Sequence, residues 1–281
     1  MLAKLLSLHP DVAYLGEPRP IWMRGQAYRS DDTLGRGDLT PRIADFIDRR
    51  FAHFLEESGR SRFAEKTPSN CLRIPFIHEL YPDCRIVNII RDGRNVVRSM
   101  LHIAKEPPAP RNVSERIRAI PMWEWPAYVP MFFRTIWRTN VLGRRASYWG
   151  PRPPGWRDWT KLPSHLAMAH QWRAVVEASI RDGRALPPAN YLEVRYEELV
   201  GDPDAGLGRV FAHAELRPER EIVEFARGRL DPDRARLRRS LLSEDEERSV
   251  LEITGPLLRT LGYLDGASAG SQAQPGAREV V

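Results

Sequence analysis

The chain has 281 residues, of which 42% are hydrophobic, which fits one large domain or two small ones with a substantial core. Its two cysteines, Cys71 and Cys84, follow no metal-binding or redox spacing. This excludes a disulfide scaffold and leads us to expect a reducing, cytoplasmic location. The formal net charge is +6, and residues 107–160 alone hold nine arginines against three acidic residues. The positive charge is therefore one patch, which indicates an anionic partner without specifying it.

Helices and short apolar strands alternate along the chain, a pattern typical of an α/β domain with a largely parallel sheet. The predicted helices occupy the first eight residues, 41–58, 70–80, the segment after Gly93, 164–182 and 244–261, and the predicted strands 12–17, 62–65, 85–90 and 191–196. Thr40-Pro41 is expected to begin the helix 41–58, Gly59 and Gly183 are expected to end their helices, and Ser243 with Glu246 is expected to form a capping box. The almost continuously apolar run 85–90 is typical of a central strand covered on both faces.

Residues 107–160 interrupt this alternation. They contain nine prolines and six of the eight tryptophans, and so long a connection in a compact domain is usually a lid or a binding loop. Its tryptophans and arginines suit sugar, aromatic or anionic acceptors, or contact with an anionic membrane surface. A third interpretation is that the tryptophans pack on one another to stabilise a proline-rich excursion. We expect residues 266–281, which are small and polar, to be disordered.

The strongest local signal follows the third predicted strand. Ligands of open parallel sheets bind beyond the carboxyl ends of the strands, and Arg91 stands at such an end. Gly93 permits a tight turn, and the first turn of the next helix offers unpaired N–H groups to an anion. Arg94, Arg98 and Ser99 lie off the apolar face of that helix. Arginine and hydroxyl together favour a phosphate site; the alternative is a surface turn with solvated arginines.

Three other strand ends carry polar residues that suit catalysis or binding. Lys66 is one of only four lysines, and a compact ammonium suits a shifting charge better than a guanidinium does; an ion pair with Glu65 is the plainer interpretation. Glu17 can act as a general base or be structural. Tyr196 either faces the base of a bound nucleotide or packs against neighbouring side chains. Because parallel strands end at one edge of a sheet, we expect Glu17, Lys66 and Arg91 to converge on one crevice.

Four motifs, in this order, resemble those of the sulfotransferase family. They are Glu17-Pro18 after Ser7-Leu8-His9-Pro10-Asp11, Glu65-Lys66-Thr67-Pro68, Arg91-Asp92-Gly93-Arg94 with Ser99, and Tyr196-Glu197-Glu198-Leu199 with Asp202-Pro203. The chain is similar to a bacterial member on the protein-tyrosine sulfotransferase branch, over about residues 1–104 and 163–265. The resemblance implies a P-loop-like, three-layer α/β fold with a central, mostly parallel sheet. It makes residues 1–265 one domain, with 107–160 as an insertion or lid where relatives often carry a variable acceptor-binding region.

The resemblance also implies an activity: transfer of a sulfuryl group from 3′-phosphoadenosine-5′-phosphosulfate (PAPS) to an acceptor hydroxyl, without a metal. By motif, Arg91 and Ser99 hold the 3′-phosphate of the donor, and Tyr196 lies beside its adenine. Lys66 supports the phosphosulfate and the charge that grows on the leaving phosphate oxygen. Glu17 accepts the proton of the hydroxyl. A small molecule, a glycan, a lipid and a peptide all remain compatible as acceptors.

One element of the family pattern does not occur in this sequence. In the family, a strand and a glycine-rich loop that cradles the 5′-phosphosulfate precede the helix that here begins at Met1. We expect either a start codon assigned too far downstream or a true remnant, and a weak or inactive 281-residue chain. The alternative functions are an inactive, truncated nucleotide-binding domain that keeps only the 3′-phosphate site, and a nucleic-acid binder. No recognised nucleic-acid motif supports the latter, so we expect no nucleic-acid partner.

Overall fold

The computed structural model describes residues 1–26, 29–105, 150–230 and 242–264. Most of the arginine- and tryptophan-rich segment (107–149) and the tail 266–281 lie outside the described residues. The lid, membrane-contact and disorder expectations placed on them therefore stay predictions. In the described part of the chain, no helix has the length and apolar character needed to cross a bilayer.

Helices and strands alternate as the sequence predicts. The strands are β1 (Val12–Gly16), β2 (Arg62–Lys66), β3 (Ile86–Ile90) and β4 (Tyr191–Arg195). The α-helices are α1 (Leu2–Leu6), α2 (Arg19–Trp22), α3 (Pro41–Ser58), α4 (Ile74–Leu80), α5 (Gly93–Lys105), α6 (Trp156–Trp159), α7 (Ser164–Arg184), α8 (Tyr196–Gly201), α9 (Pro203–His213), α10 (Arg220–Arg229) and α11 (Glu244–Thr260). Short 3-10 helices cover Arg36–Asp38, Pro68–Leu72 and Pro188–Asn190.

The described strands form two parallel ladders. β1 pairs with β2, which sets Gly16 opposite Lys66, and β3 pairs with β4, which sets Ile90 opposite Arg195. Helices connect the strands of each pair, as a parallel connection requires. The two strands of each ladder end at the same edge, so the residues that follow them come side by side.

Helix ends explain why several elements begin and end where they do. The side chain of Thr40 accepts a hydrogen bond from the N–H of Ile43, and Gly59 ends α3 in the left-handed region at φ +62°. At α11, Ser243 and Glu246 exchange the two hydrogen bonds of a capping box. All three predicted ends are confirmed.

Gly183 does not end its helix, contrary to the sequence prediction, since α7 continues to Arg184. A Cβ atom at Gly183 would lie 2.1 Å from the ring of Tyr191. That ring belongs to β4, and its hydroxyl accepts a hydrogen bond from Asn88 of β3 at 2.8 Å. Glycine is therefore required here because the helix packs closely on the β3–β4 ladder.

The sequence predicts that Pro75 kinks or starts the helix around 70–80, and this is confirmed: Pro75 occupies the first turn of α4, which follows the 3-10 helix Pro68–Leu72. Two other features differ from those predicted. Strand β4 ends at Arg195, so Tyr196 begins α8. β3 is less covered than expected, since Ile89 is 36% exposed.

Apolar clusters on the helices fix the two ladders in place. Trp22, Phe51 and Phe76 pack beside β1 and β2, with Leu15 and Phe63 against them. A second cluster covers β4 and includes Leu5, Val194, Leu199, Leu207 and Phe211. Each fully buried side chain of this size stabilises the fold by about 1.5–3 kcal/mol. The ends of the strands are thus held in position by buried apolar clusters.

Candidate active site

The end of the β1–β2 ladder brings Glu17 and Lys66 together. The ladder continues one step past Gly16, because the N–H of Glu17 donates to the carbonyl of Lys66 at 3.1 Å. Lys66 Nζ lies 2.9 Å from Glu17 Oε1, and about half of each side chain is exposed (49% and 50%). The sequence prediction that these two strand-end residues meet is confirmed in this geometry, and the chemical role of each stays a prediction.

Glu17 has an unusual backbone conformation. Its φ of +52° lies in the left-handed region, which non-glycine residues seldom adopt. Two backbone hydrogen bonds hold it there: its N–H donates to Lys66, and its carbonyl accepts from the N–H of Arg19 at 2.7 Å. Such conformations cost of order 1–3 kcal/mol and cluster at functional sites.

Lys66 pairs with Glu17 rather than with Glu65, the plainer partner considered from the sequence. Adjacent residues of a strand point to opposite faces, so Glu65 turns inward while Lys66 faces solvent. The carboxyl of Glu65 accepts hydrogen bonds from Thr67 Oγ1 at 2.9 Å and from the amide of Asn70. Burial raises the pKa of Glu65 to about 7, against these hydrogen bonds and the charge of Arg73, which lower it.

The end of the β3–β4 ladder brings Arg91 and Tyr196 together. The guanidinium carbon of Arg91 lies 4.3 Å from the centroid of the Tyr196 ring, a cation–π arrangement. The carbonyl of Arg91 accepts a hydrogen bond from Trp172 Nε1 at 3.2 Å. Arg91 Nε is buried and finds no hydrogen-bond partner among the described residues. The site therefore holds a cationic donor beside an aromatic ring.

The other arginines near this end are neutralised by carboxylates. Arg94 makes a bidentate contact with the buried Asp92, with Nη2 2.6 Å from Oδ2, and this hydrogen bonding raises the pKa of Arg94. Arg98 pairs with Glu247 of α11. Their predicted placement off the apolar face of α5 therefore serves internal ion pairs, and Arg91 is the stronger candidate for an anion.

Ser99 lies on α5 and is partly buried. Its contact with a phosphate stays a prediction. The structure thus brings the predicted residues together as two pairs, Glu17 with Lys66 and Arg91 with Tyr196. Convergence of both pairs on one crevice also stays a prediction.

Two supporting residues of the β3–β4 end were missed from the sequence. Glu197 Oε1 accepts from the N–H of Asp92 at 3.1 Å, and its Oε2 accepts from the hydroxyl of Tyr263 at 2.9 Å. Trp172 supports the carbonyl of Arg91 from α7. Glu197 stands in the motif of Tyr196, but no local pattern shows that it bonds a backbone group 105 positions away.

Cys71 and Cys84 are both free thiols, and burial raises the pKa of each to about 11. A thiol with a raised pKa is a poor nucleophile at neutral pH. Among the described ranges, no group of three or more His, Cys, Asp or Glu side chains is placed to hold a metal ion.

Comparison with protein families gives one matching model, described as "Sulfotransferase family", over residues 1–128 and 133–220. Two relatives are each described as a "putative protein-tyrosine sulfotransferase". The one from Caenorhabditis elegans is 32% identical over 126 residues, 42% of this chain and 48% of that protein. The one from Caenorhabditis briggsae is 29% identical over 128 residues, 44% and 45% of the two chains. The chain spans about half the length of the curated relatives it matches.

Two solved structures share the fold. The sulfotransferase domain from the curacin biosynthetic pathway has a TM-score of 0.51, covering 91% of this chain and 92% of that one. The sulfotransferase domain from the Synechococcus PCC 7002 olefin synthase has a TM-score of 0.50, covering 91% and 90%. At 13% identity these likenesses concern the fold alone. They confirm the predicted P-loop-like α/β architecture with parallel strands.

Proposed function

The chain belongs to the sulfotransferase family, and from that premise we propose that it transfers a sulfuryl group from PAPS to an acceptor hydroxyl. The observation that carries the proposal is the 2.9 Å contact between Lys66 Nζ and Glu17 Oε1 at one strand edge. Sulfuryl transfer needs a base for the hydroxyl proton and a cation for the leaving phosphate oxygen, and this contact supplies one of each.

The proposed donor fits the residues at the end of the β3–β4 ladder. Its 3′-phosphate offers oxygens to a guanidinium, and Arg91 has a buried Nε without a partner among the described residues. Its adenine offers an aromatic face, and Tyr196 supplies a partly buried ring beside Arg91. We assign the 3′-phosphate to Arg91 and Ser99 and the adenine to Tyr196. The donor, when bound, supplies the sulfuryl group and leaves as adenosine 3′,5′-bisphosphate.

Glu17 and Lys66 have complementary tasks in this mechanism. Glu17 accepts the acceptor's hydroxyl proton as the oxygen–sulfur bond forms. Lys66 stabilises the negative charge that develops on the phosphate oxygen as its bond to sulfur breaks. In the structure the two charges offset each other. An acceptor hydroxyl bound at Glu17 would replace that contact and leave the ammonium facing the leaving group.

The acceptor belongs to the class of hydroxyl compounds. A phenol is one candidate, because the two relatives carry the name protein-tyrosine sulfotransferase. We propose that the acceptor is a small molecule, a glycan, a lipid or a peptide with such a hydroxyl. The proton transfer to Glu17 and the charge stabilisation by Lys66 need no cofactor metal.

The test is calorimetric titration with adenosine 3′,5′-bisphosphate of the wild type and Arg91→Ala. A matched control is Arg220→Ala, since Arg220 is an exposed arginine paired with Glu224 on α10. We expect micromolar binding that weakens about 10- to 100-fold in Arg91→Ala, the loss of a charge-assisted hydrogen bond, and is unchanged in Arg220→Ala. Absence of binding by the folded wild type contradicts the donor assignment.

A second assay separates an enzyme from an inactive nucleotide-binding domain. The chain is incubated with PAPS and a panel of phenolic, sugar and lipid hydroxyls, and sulfated products are detected by mass spectrometry. Sulfated product that is lost in Glu17→Gln supports the proposal. Bisphosphate binding without transfer to any acceptor, or to water, supports the inactive domain instead.

A further inference from the structure

Asp32 is a buried carboxylate, 1% exposed, to which three distant segments of the chain are bound. Its carboxyl accepts hydrogen bonds from the guanidinium of Arg19, from Ser69 Oγ at 2.8 Å and from the N–H of Arg152 at 3.1 Å. Its own N–H donates to the carbonyl of Arg152 at 2.8 Å. Burial raises the pKa of Asp32, but the charges of Arg19 and Arg73 and the hydrogen bonds from Arg19 and Ser69 together lower that pKa below its ordinary value.

Two of these partners adjoin the proposed catalytic pair. Arg19 follows Glu17 by two positions, and its N–H donates to the Glu17 carbonyl at 2.7 Å. Ser69 lies in the 3-10 helix Pro68–Leu72, which begins two residues after Lys66. One carboxylate therefore holds the chain just beyond Glu17 and the chain just beyond Lys66.

The third partner belongs to the C-terminal end of the arginine- and tryptophan-rich segment. Besides Arg152, this stretch carries Trp156, whose Nε1 donates to the carbonyl of Ser30 at 2.7 Å. Gln171 of α7 donates to the carbonyl of Pro151 at 2.7 Å. Residues 150–156 are thus fastened to the loop of Asp32 and to α7. The described residues 150–156 are therefore joined to Asp32.

The negative charge of Asp32 offsets the charge of a buried cation, Arg73. Its guanidinium is fully buried (0% exposed), its Nε donates to the carbonyl of Ser69 at 3.3 Å, and both terminal nitrogens lack a hydrogen-bond partner among the described residues. Burial lowers the pKa of Arg73 to about 10, while the charges of Asp32 and Glu65 raise it. Arg73 is thus a buried cation whose charge the two carboxylates offset, and removing one partner of such a group is costly.

We propose that Asp32 is a positioning residue: it sets Glu17 and Lys66 relative to each other and couples both to residues 150–156. The inference rests on the proposed function. The Glu17–Lys66 contact is half exposed, and solvent screening leaves such a pair too weak to fix its own geometry. Its geometry must therefore come from the chain beneath it, and an error of 1 Å there can cost about 100-fold in rate.

The test compares Asp32→Asn and Asp32→Ala with the control Asp204→Asn, which removes the carboxylate of an exposed ion pair with Arg227. Hydrogen exchange in full-length protein is measured first, without any ligand. We expect at least about 10-fold faster exchange at 17–19, 67–72 and 150–156 in the Asp32 variants. Exchange in β3, β4 and α8 should stay unchanged. An increase in exchange rate that is uniform over the protein overturns the coupling, and so does the absence of any increase at these three segments.

Kinetics then distinguish positioning from mere stability. With PAPS and N-acetyltyrosinamide as the probe acceptor, or with water as acceptor, we expect Asp32→Asn to lower kcat by about 100-fold. The donor KM, the adenosine 3′,5′-bisphosphate affinity and the binding stoichiometry should remain within twofold of wild type. A variant that is merely less folded would lose binding stoichiometry and kcat together, and that result would contradict a positioning role. An unchanged kcat in Asp32→Asn would contradict it as well.

Two further controls keep the outcome decisive. Ser69→Ala removes one hydrogen bond to Asp32 but keeps the carboxylate that offsets the charges of Arg19 and Arg73, so it replaces Asp32→Ala if that variant does not fold. It should speed exchange at 67–72 more than at 150–156. If wild type neither binds the bisphosphate nor releases it from PAPS, the proposed function fails. The exchange experiment still decides whether Asp32 joins the three segments.

Discussion

Lys66 Nζ lies 2.9 Å from Glu17 Oε1, although the two residues are 49 positions apart. The contact follows from the register of the β1–β2 ladder, in which Gly16 stands opposite Lys66, so the next residue of β1 passes the end of β2. Half of each side chain is exposed, so the pair contributes little to folding. Variants at this edge therefore report on chemistry with little effect on stability.

Glu17→Gln should abolish most sulfuryl transfer while the fold persists. The amide keeps the size of the side chain but cannot take the hydroxyl proton, and general-base catalysis is worth about 100- to 10,000-fold. Initial rates with PAPS and a phenolic acceptor measure the loss, and thermal unfolding should shift by no more than a few degrees. Glu224→Gln, at an exposed ion pair on α10, should keep wild-type activity. An active Glu17→Gln enzyme would assign the base to another group.

The edge of the β1–β2 ladder shows which features can be predicted from the sequence. Parallel strands end together, so the meeting of Glu17 and Lys66 follows from chain pattern alone, as do Thr40 and Gly59 at the ends of α3. Gly183 shows the limit. Its local pattern indicates a helix end, whereas the glycine exists because Tyr191 of β4 packs against it. A close approach between distant elements leaves no signature in the neighbouring residues.

Asp32 was missed for the same reason. It stands in a polar stretch without periodicity, and its partners lie 13, 37 and 120 positions away. Arg98 is a milder case, because its position off the apolar face of α5 predicts exposure or ligand contact. Glu247 of α11, 149 positions distant, pairs with it instead.

Replacing Tyr196 should separate the contribution of its ring from that of its hydroxyl. The Arg91 guanidinium lies 4.3 Å from the ring centroid, and both are assigned to the donor. Tyr196→Phe keeps the ring, so adenosine 3′,5′-bisphosphate should bind within about twofold of wild type. Tyr196→Ala should weaken binding about 10-fold, since stacking of a base on an aromatic ring is worth about 1–3 kcal/mol. Calorimetry measures both, and equal affinities in the two variants would exclude the ring from the site.

Gly93→Ala should damage the donor side through packing. An added Cβ would lie 2.7 Å from the ring of Trp172, whose Nε1 supports the carbonyl of Arg91. Overpacking of this kind costs about 1–3 kcal/mol in unfolding free energy, and bisphosphate affinity should fall with it. Gly208→Ala is the matched control in α9, where nothing lies within 4 Å of the added Cβ. It should raise stability by up to about 1 kcal/mol. Urea denaturation with unchanged m-values measures both, and equal stabilities would contradict the prediction.

Glu65→Gln should change how stability depends on pH. Burial raises the pKa of Glu65 from 4.5 to about 7, so the folded chain keeps a proton that the unfolded chain releases near pH 4.5. The unfolded state binds fewer protons between these values, and stability therefore falls as pH rises from about 4.5 to about 7. The groups facing this carboxyl are Thr67, Trp22, Asn70 and the cation of Arg73. Glutamine does not titrate, so the variant should lack this loss.

The measurement is the free energy of unfolding of wild type and Glu65→Gln at pH 4, 5.5 and 7.5. Relative to wild type, the variant should gain stability across this series, with most of the change complete by pH 7.5. Glu224→Gln is the exposed control and should run parallel to wild type. Parallel curves for Glu65→Gln would mean that Glu65 has the same pKa in the folded and unfolded chains, so that the charge of Arg73 and the hydrogen bonds at this carboxyl offset the effect of burial.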